Sequence, residues 1–177
     1  VVEGEDVASQ PLTVLKDPTS EGSLSDIRTQ YTLMDEIRAD QEGAAAAVNR
    51  IELIRKKIAD IRTVVDETSD DTDEEFDAAS STLEEQLIEV ESSLVQLKNT
   101  GGGDGVRWPA MLWGQLNYLR GAVGSADFRP TDQHGEVQVI LRQQLRDAEE
   151  ALEALLETAV QEYNRLVLAR GLPPIIT

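Results

Sequence analysis

From Leu24 to Val65 the apolar side chains recur at steps of three and four: Ile27, Tyr31, Met34, Ile37, Ala44, Ala47, Ile51, Ile54, Ile58, Ile61 and Val65. Gln41 is the one polar member of the series. Such steps keep the side chains on one face, so the pattern predicts a single helix with one buried stripe. At 1.5 Å per residue that helix is about 60 Å long. Ser23 opens it, with Asp26 three residues on as a capping-box partner. Gly43, beside Ala44–Ala47, marks a place where a neighbour could approach closely or the helix could bend.

Three further stripes follow. Phe76, Ala79, Leu83, Leu87, Val90, Leu94 and Leu97 predict a second helix, ended by Asn99 and the glycines after it. Leu112, Leu116, Leu119, Val123 and Ala126 predict a third, shorter one, with Pro109 in its first turn and Trp108 just before. The fourth starts at an N-cap on Thr131 and carries Val137, Leu141, Leu145, Ala148, Leu152, Leu155, Ala159, Tyr163 and Leu166. Gly171 and Pro173-Pro174 stop it. Asp66–Asp77, with eight carboxylates in twelve positions, reads as a loop, and Gly101–Gly105 as a non-helical turn. Four amphipathic helices joined by polar loops make an all-α, antiparallel four-helix bundle with long first and last helices.

The first 22 residues break the pattern. Between Pro11 and Pro18, Leu12, Val14 and Lys16 alternate with Thr13 and Leu15, which predicts one short strand closed by the turn-forming 19–22. No second strand is evident for it to join. The division is therefore an extended arm, 1–22, acting as the last strand of a preceding β domain, and a helical bundle, 23–177. Without that domain, the arm is expected to lie on the bundle or on another chain. Val1 is not an initiator Met, and no basic-then-apolar leader follows it, so the chain reads as processed or as part of something longer.

Composition narrows the function classes. The 177 residues hold 16 basic and 34 acidic side chains, a formal charge of −18, which argues against binding nucleic acid or an anionic membrane. No apolar run reaches the ~18 residues of a spanning helix. Without cysteine there are no disulfides, thiolates or Cys-type zinc sites. Twelve of the basic residues are Arg and four are Lys; with the strong acidity, that bias suits a salt-rich or extracellular setting.

Four features could carry chemistry. Asp70, Asp71, Asp73, Glu74 and Glu75 offer oxygen ligands for Ca²⁺, but the glycine and glutamate of an EF-hand loop are missing, and Asp73 or Asp77 suits an N-cap. His134, the one imidazole, has only Asp132 nearby, in the same first turn, and reads as a surface position. The glycine loop lacks the lysine and leading strand of a phosphate cradle. Trp108 and Trp113 could stack on a partner or a sugar, but read as plugs for the end of the bundle. Catalytic, cofactor and metal residues are accordingly none.

These landmarks together resemble a known family. QPLTVLKDP at 10–18, SDIRTQYTLMDEIR at 25–38, AVNRI at 47–51, the glycine turn at 101–105, SADFRPTDQHGEV at 125–137 and ARGLPPI at 169–175 are similar to the carboxy-terminal region of exported bacterial BNR-repeat, sortilin-like β-propeller proteins. Those proteins are often labelled glycosyl hydrolase or sialidase-like. The family's Asn-Tyr-Pro and Asn-Asn stretches are here Arg107-Trp108-Pro109 and Gln115-Leu116-Asn117. The resemblance implies a non-enzymatic structural or interaction module of a secreted, periplasmic or cell-surface protein. Its partners would be the preceding propeller and β-sandwich domains or another chain, and any glycan chemistry would belong to the propeller. A free-standing acidic helical adaptor is the alternative. A metal-binding or enzymatic bundle would need paired inward carboxylates or histidines, whereas these stripes are almost purely aliphatic.

Overall fold

The computed structural model describes residues 2–3, 6–7, 9–68, 73–99, 101 and 104–176. Six helices form among them: α1 (Leu24–Thr68), α2 (Glu74–Leu94), α3 (Asp104–Arg107), α4 (Leu112–Val123), α5 (Asp132–Glu157) and α6 (Ala159–Ala169). The protein is an all-α helical bundle, as the stripes imply. Two-residue strands, β1 (Val2–Glu3) and β2 (Asp6–Val7), pair antiparallel ahead of it.

The bundle makes three passes. Helix α1 runs its full length unbroken. Helix α2 returns beside the C-terminal half of α1, where Arg62 meets Asp77 and Arg55 meets Glu84 and Glu91. Helix α4 continues the return beside the N-terminal half, where the Gln30 amide donates to the carbonyls of Val123 (2.6 Å) and Ala126 (2.5 Å). Helices α5 and α6 then run parallel to α1, with Asp40 beside Gln138 and Arg142, and Arg50 beside Glu153. Between the passes lies one aliphatic core that includes Ile37, Ile51, Ile54, Ile58, Leu87, Leu116, Leu145 and Val160. At Gly43 side chains of α5 pack close against α1. A Cβ there would stand 3.2 Å from both Leu145 and Glu149.

Helix ends follow their capping chemistry. Ser23 and Asp26 exchange hydrogen bonds as a capping box. Asp73 accepts from the Phe76 N–H. Gly171, at φ +72°, lets the Leu172 N–H reach back to the Val167 carbonyl at 3.2 Å, closing α6 in a Schellman turn.

Several sequence expectations need correction. Residues 10–18 form no strand; Leu12, Val14 and Leu15 are 87%, 86% and 81% exposed, so neither face of the alternation is covered. A strand's backbone bonds go to a neighbour, and the bundle offers none. Nor do the described residues 9–19 pack on the bundle. Contact is made at the arm's end, where Gly22 packs on the loop between α4 and α5 so closely that a Cβ would collide with the Asp127 carbonyl oxygen.

The acidic loop is shorter than the 66–77 expected, because α1 continues to Thr68 and α2 begins at Glu74. Gly101–Gly105 is partly helical, since Asp104 and Gly105 open α3. Pro109 lies ahead of α4, whose N-cap is Met111, and not in its first turn. Tyr31, Leu97, Ala126 and Val137 are exposed rather than in the stripes, while the polar Gln30, Asp40 and Gln138 are buried.

The fourth helix is interrupted at Thr158. Its hydroxyl bonds back to the Ala154 carbonyl at 2.6 Å, and the Gln161 side chain takes the Leu156 carbonyl at 3.3 Å. The Thr158 hydroxyl thus shares the Ala154 carbonyl with its own N–H, at 3.1 Å, and side chains enter the ladder at the point of the break.

Candidate functional site

The buried polar groups are the first place to look for chemistry. Asp40 on α1 accepts from Gln138 Nε2 (2.9 Å) and Arg142 Nε (3.0 Å) on α5. Glu91, with its side chain 2% exposed, accepts from Arg55 Nη1 at 2.6 Å. Asn164 brackets the tail, accepting from the Ile175 N–H (2.7 Å) and donating to its carbonyl (3.0 Å). Asp40 ties α5 to α1, Glu91 ties α2 to α1, and Asn164 ties the tail back to α6. These are structural pairings, and no nucleophile stands among the three.

At the far end of the bundle Phe76 stacks on Tyr163, ring centroids 5.4 Å apart, with the Arg170 guanidinium 4.7 Å from the Phe76 ring. Arg170 also bonds Asp73 Oδ2 at 2.7 Å. The Asp73 carboxyl is held below its ordinary value, first by this bond and then by the Phe76 N–H. The Tyr163 hydroxyl shares a 3.2 Å hydrogen bond with Ser80, and burial raises its pKa above 10.0.

That shift sets an alkaline prediction. Above the ordinary tyrosine value the unfolded chain gives up the Tyr163 proton while the folded chain keeps it, so stability falls as pH rises past about 10. Urea titrations of wild type and Tyr163→Phe at pH 8 and 10.5 should show a steeper loss in wild type. Parallel losses would refute the assignment.

The sequence candidates separate. Asp70 and Asp71 lie outside the described residues; Asp73 is the α2 N-cap, and Glu74 and Glu75 are exposed in the first turn. Among the described residues no three acidic or histidine side chains converge as a metal site would require.

His134 is the N3 partner of a capping box. Its Nδ1 accepts from the Thr131 N–H at 3.3 Å, while its own N–H donates to Thr131 Oγ1 at 3.4 Å. Sequence reasoning placed the N-cap and missed that the imidazole fills the place usually taken by Glu. Trp108 is half-buried with Lys98 Nζ 4.6 Å from its ring, and Trp113 is 43% exposed. They flank the joint between α2 and α4, beside the middle of α1, so they do not plug an end of the bundle.

What remains is the arm. Asp17-Pro18-Thr19-Ser20 forms a β-turn, with the Ser20 N–H on the Asp17 carbonyl at 3.2 Å. The Asp17 carboxylate accepts from the Thr19 hydroxyl (2.7 Å) and N–H (2.8 Å), which together lower its pKa. Lys16 Nζ donates to the Ser20 carbonyl at 2.5 Å. The turn holds the arm at the α4–α5 loop through Ser20 and Gly22, and projects Leu12–Leu15 away from the bundle.

Comparison of the chain with family profiles, curated proteins and solved structures gave no match. No helix among the described residues is long and apolar enough to cross a membrane.

Proposed function

We propose that this chain is a non-catalytic interaction module, whose arm joins the sheet of a preceding β domain in an exported propeller protein or in another chain. The observation that carries the reading is the exposure of Leu12, Val14 and Leu15 on an extended segment outside any sheet. Three large apolar side chains in water are unfavourable unless a partner covers them, and an extended backbone satisfies its polar groups best by strand addition. The propeller as partner, and export with it, rest on the sequence resemblance alone.

The arm and the bundle should behave as separable parts. Deleting residues 1–22 should leave helix content and thermal cooperativity close to those of the intact chain, because the described part of the arm meets the bundle at its end, through Ser20 and Gly22. Circular dichroism and a melting curve measure both. When the chain is expressed with a β domain encoded ahead of it, the amides of Leu12–Lys16 should become protected from hydrogen exchange. A truncation that unfolds the bundle, or amides that still exchange freely beside that domain, would end the modular reading.

A further inference from the structure

The crease between α2 and α5 is covered by α1 on one side only. On the other side it opens as a groove of about 790 Å³, with Val90, Met111, Ala148, Ala151 and Leu155 among its lining residues. The charged residues that line it, Glu89 and Asp147, are both acidic. Helix α2 holds seven acids and no Lys or Arg, and Asp147–Glu157 of α5 adds five acids and again no base. The arginines of α1 neutralise the inner members: Arg62 meets Asp77, Arg55 meets Glu84 and Glu91, and Arg50 meets Glu153. On the open side Glu89 and Asp147 join no ion pair among the described residues, although Asp147 accepts from Gln143 Nε2 at 2.7 Å. Glu89 and Asp147 stand on the two rims of the groove.

We infer that this groove receives a cationic amphipathic helix from a protein partner. An apolar stripe would fill the floor, and Lys or Arg on either flank would meet the two acidic rims, the arrangement used where helices lie in grooves. Size agrees. From Gln144 to Leu155 the α5 wall is about 16 Å long, the length of roughly three helical turns. A helix seated there would be the fourth in a cross-section that at this level holds α1, α2 and α5. This surface lies apart from the arm, so the proposal stands or falls independently of the reading above.

The probe is a labelled 14-residue peptide with leucine at i, i+3, i+4, i+7 and i+11 and lysine elsewhere. Its partner is the full chain, at 150 mM salt to damp nonspecific attraction. The peptide should bind one to one, become helical on binding, and bind at least tenfold tighter than a scrambled peptide of equal composition. Ala151 and Ala154 are exposed, so Ala151→Trp and, separately, Ala154→Gln should fill the groove without unfolding the protein; each should weaken binding at least tenfold. Glu89→Gln/Asp147→Asn should weaken it severalfold, while Glu52→Gln/Glu67→Gln on the outer face of α1 should not. Equal affinity for the scrambled peptide would reduce the effect to net charge and overturn the proposal. So would a groove-filling variant that binds normally. A dimer that Ala151→Trp dissociates would make the occupant a second copy, and peptide binding that appears only after deletion of 1–22 would make it the arm; either result also overturns it.

Discussion

Replacing Arg55 with leucine will destabilise the protein by about 3–5 kcal/mol, because it strands the Glu91 carboxylate in a site from which water is excluded. The opposite single change is far milder. In Glu91→Leu the guanidinium keeps partial access to solvent and its second partner, Glu84, at 3.8 Å, so the cost should be about 1 kcal/mol or less. The double variant Arg55→Leu/Glu91→Leu should recover most of the loss, since two apolar side chains replace a pair whose desolvation offsets much of its attraction. Urea titrations of the three variants at pH 7.5 measure this. An Arg55→Leu cost below about 1 kcal/mol at pH 7.5 would show that the pair is not what holds Glu91 inside.

Phe76→Ala should cost about 3–5 kcal/mol, the range for emptying a fully buried aromatic site. For a chain of this size that lowers the melting temperature by roughly 6–20 °C. The residue is 1% exposed and joins the first turn of α2 to α6 through Tyr163 and Arg170. Phe76→Leu keeps most of the volume and loses the ring contacts, so it separates cavity from stacking and should cost about 1–1.5 kcal/mol. Calorimetry of both variants tests this, and equal losses in the two would mean that packing volume is not the cause.

Both predictions turn on residues of unequal visibility in the sequence. Phe76 was legible, because it stands in register with Leu83 and Leu87 and the step pattern alone places it inside. Glu91 was not. Periodicity scores a carboxylate as solvent-facing, and nothing local reveals that Arg55 lies opposite it, 36 positions earlier. Asp40 and Gln138 escaped for the same reason, being 98 positions apart. Hydropathy favours Val137 for the core over its neighbour Gln138, whereas the Asp40 pairing fixes the register the other way. The break at Thr158 hid because threonine is an acceptable helix residue until its hydroxyl competes for a carbonyl. The arm was misread in form but not in character. Its alternation is real, yet a strand needs a neighbour to bond, and β1 and β2 pair with each other rather than with 10–18. Of the candidate surfaces, the arm was visible from its prolines and alternation. The α2–α5 groove became visible only once α1 was seen to supply its arginines to the inner side.

The odd number of passes has a mechanical consequence. Chain entering at Ser23 arrives at one end of the bundle, and the tail leaves at the other, where Lys57 Nζ holds the Ile176 carbonyl at 3.0 Å. Lys57 is 33 residues along α1 from Leu24, so the two points stand about 50 Å apart. A bundle with an even number of passes would return its ends to the same side. Tension applied through the ends therefore loads α1 and the α5–α6 pass in shear along their common axis, with Arg142–Asp40 and Arg50–Glu153 strained together instead of opening one by one. Anything joined at both ends is held apart by a strut, and the three-pass topology alone sets its length.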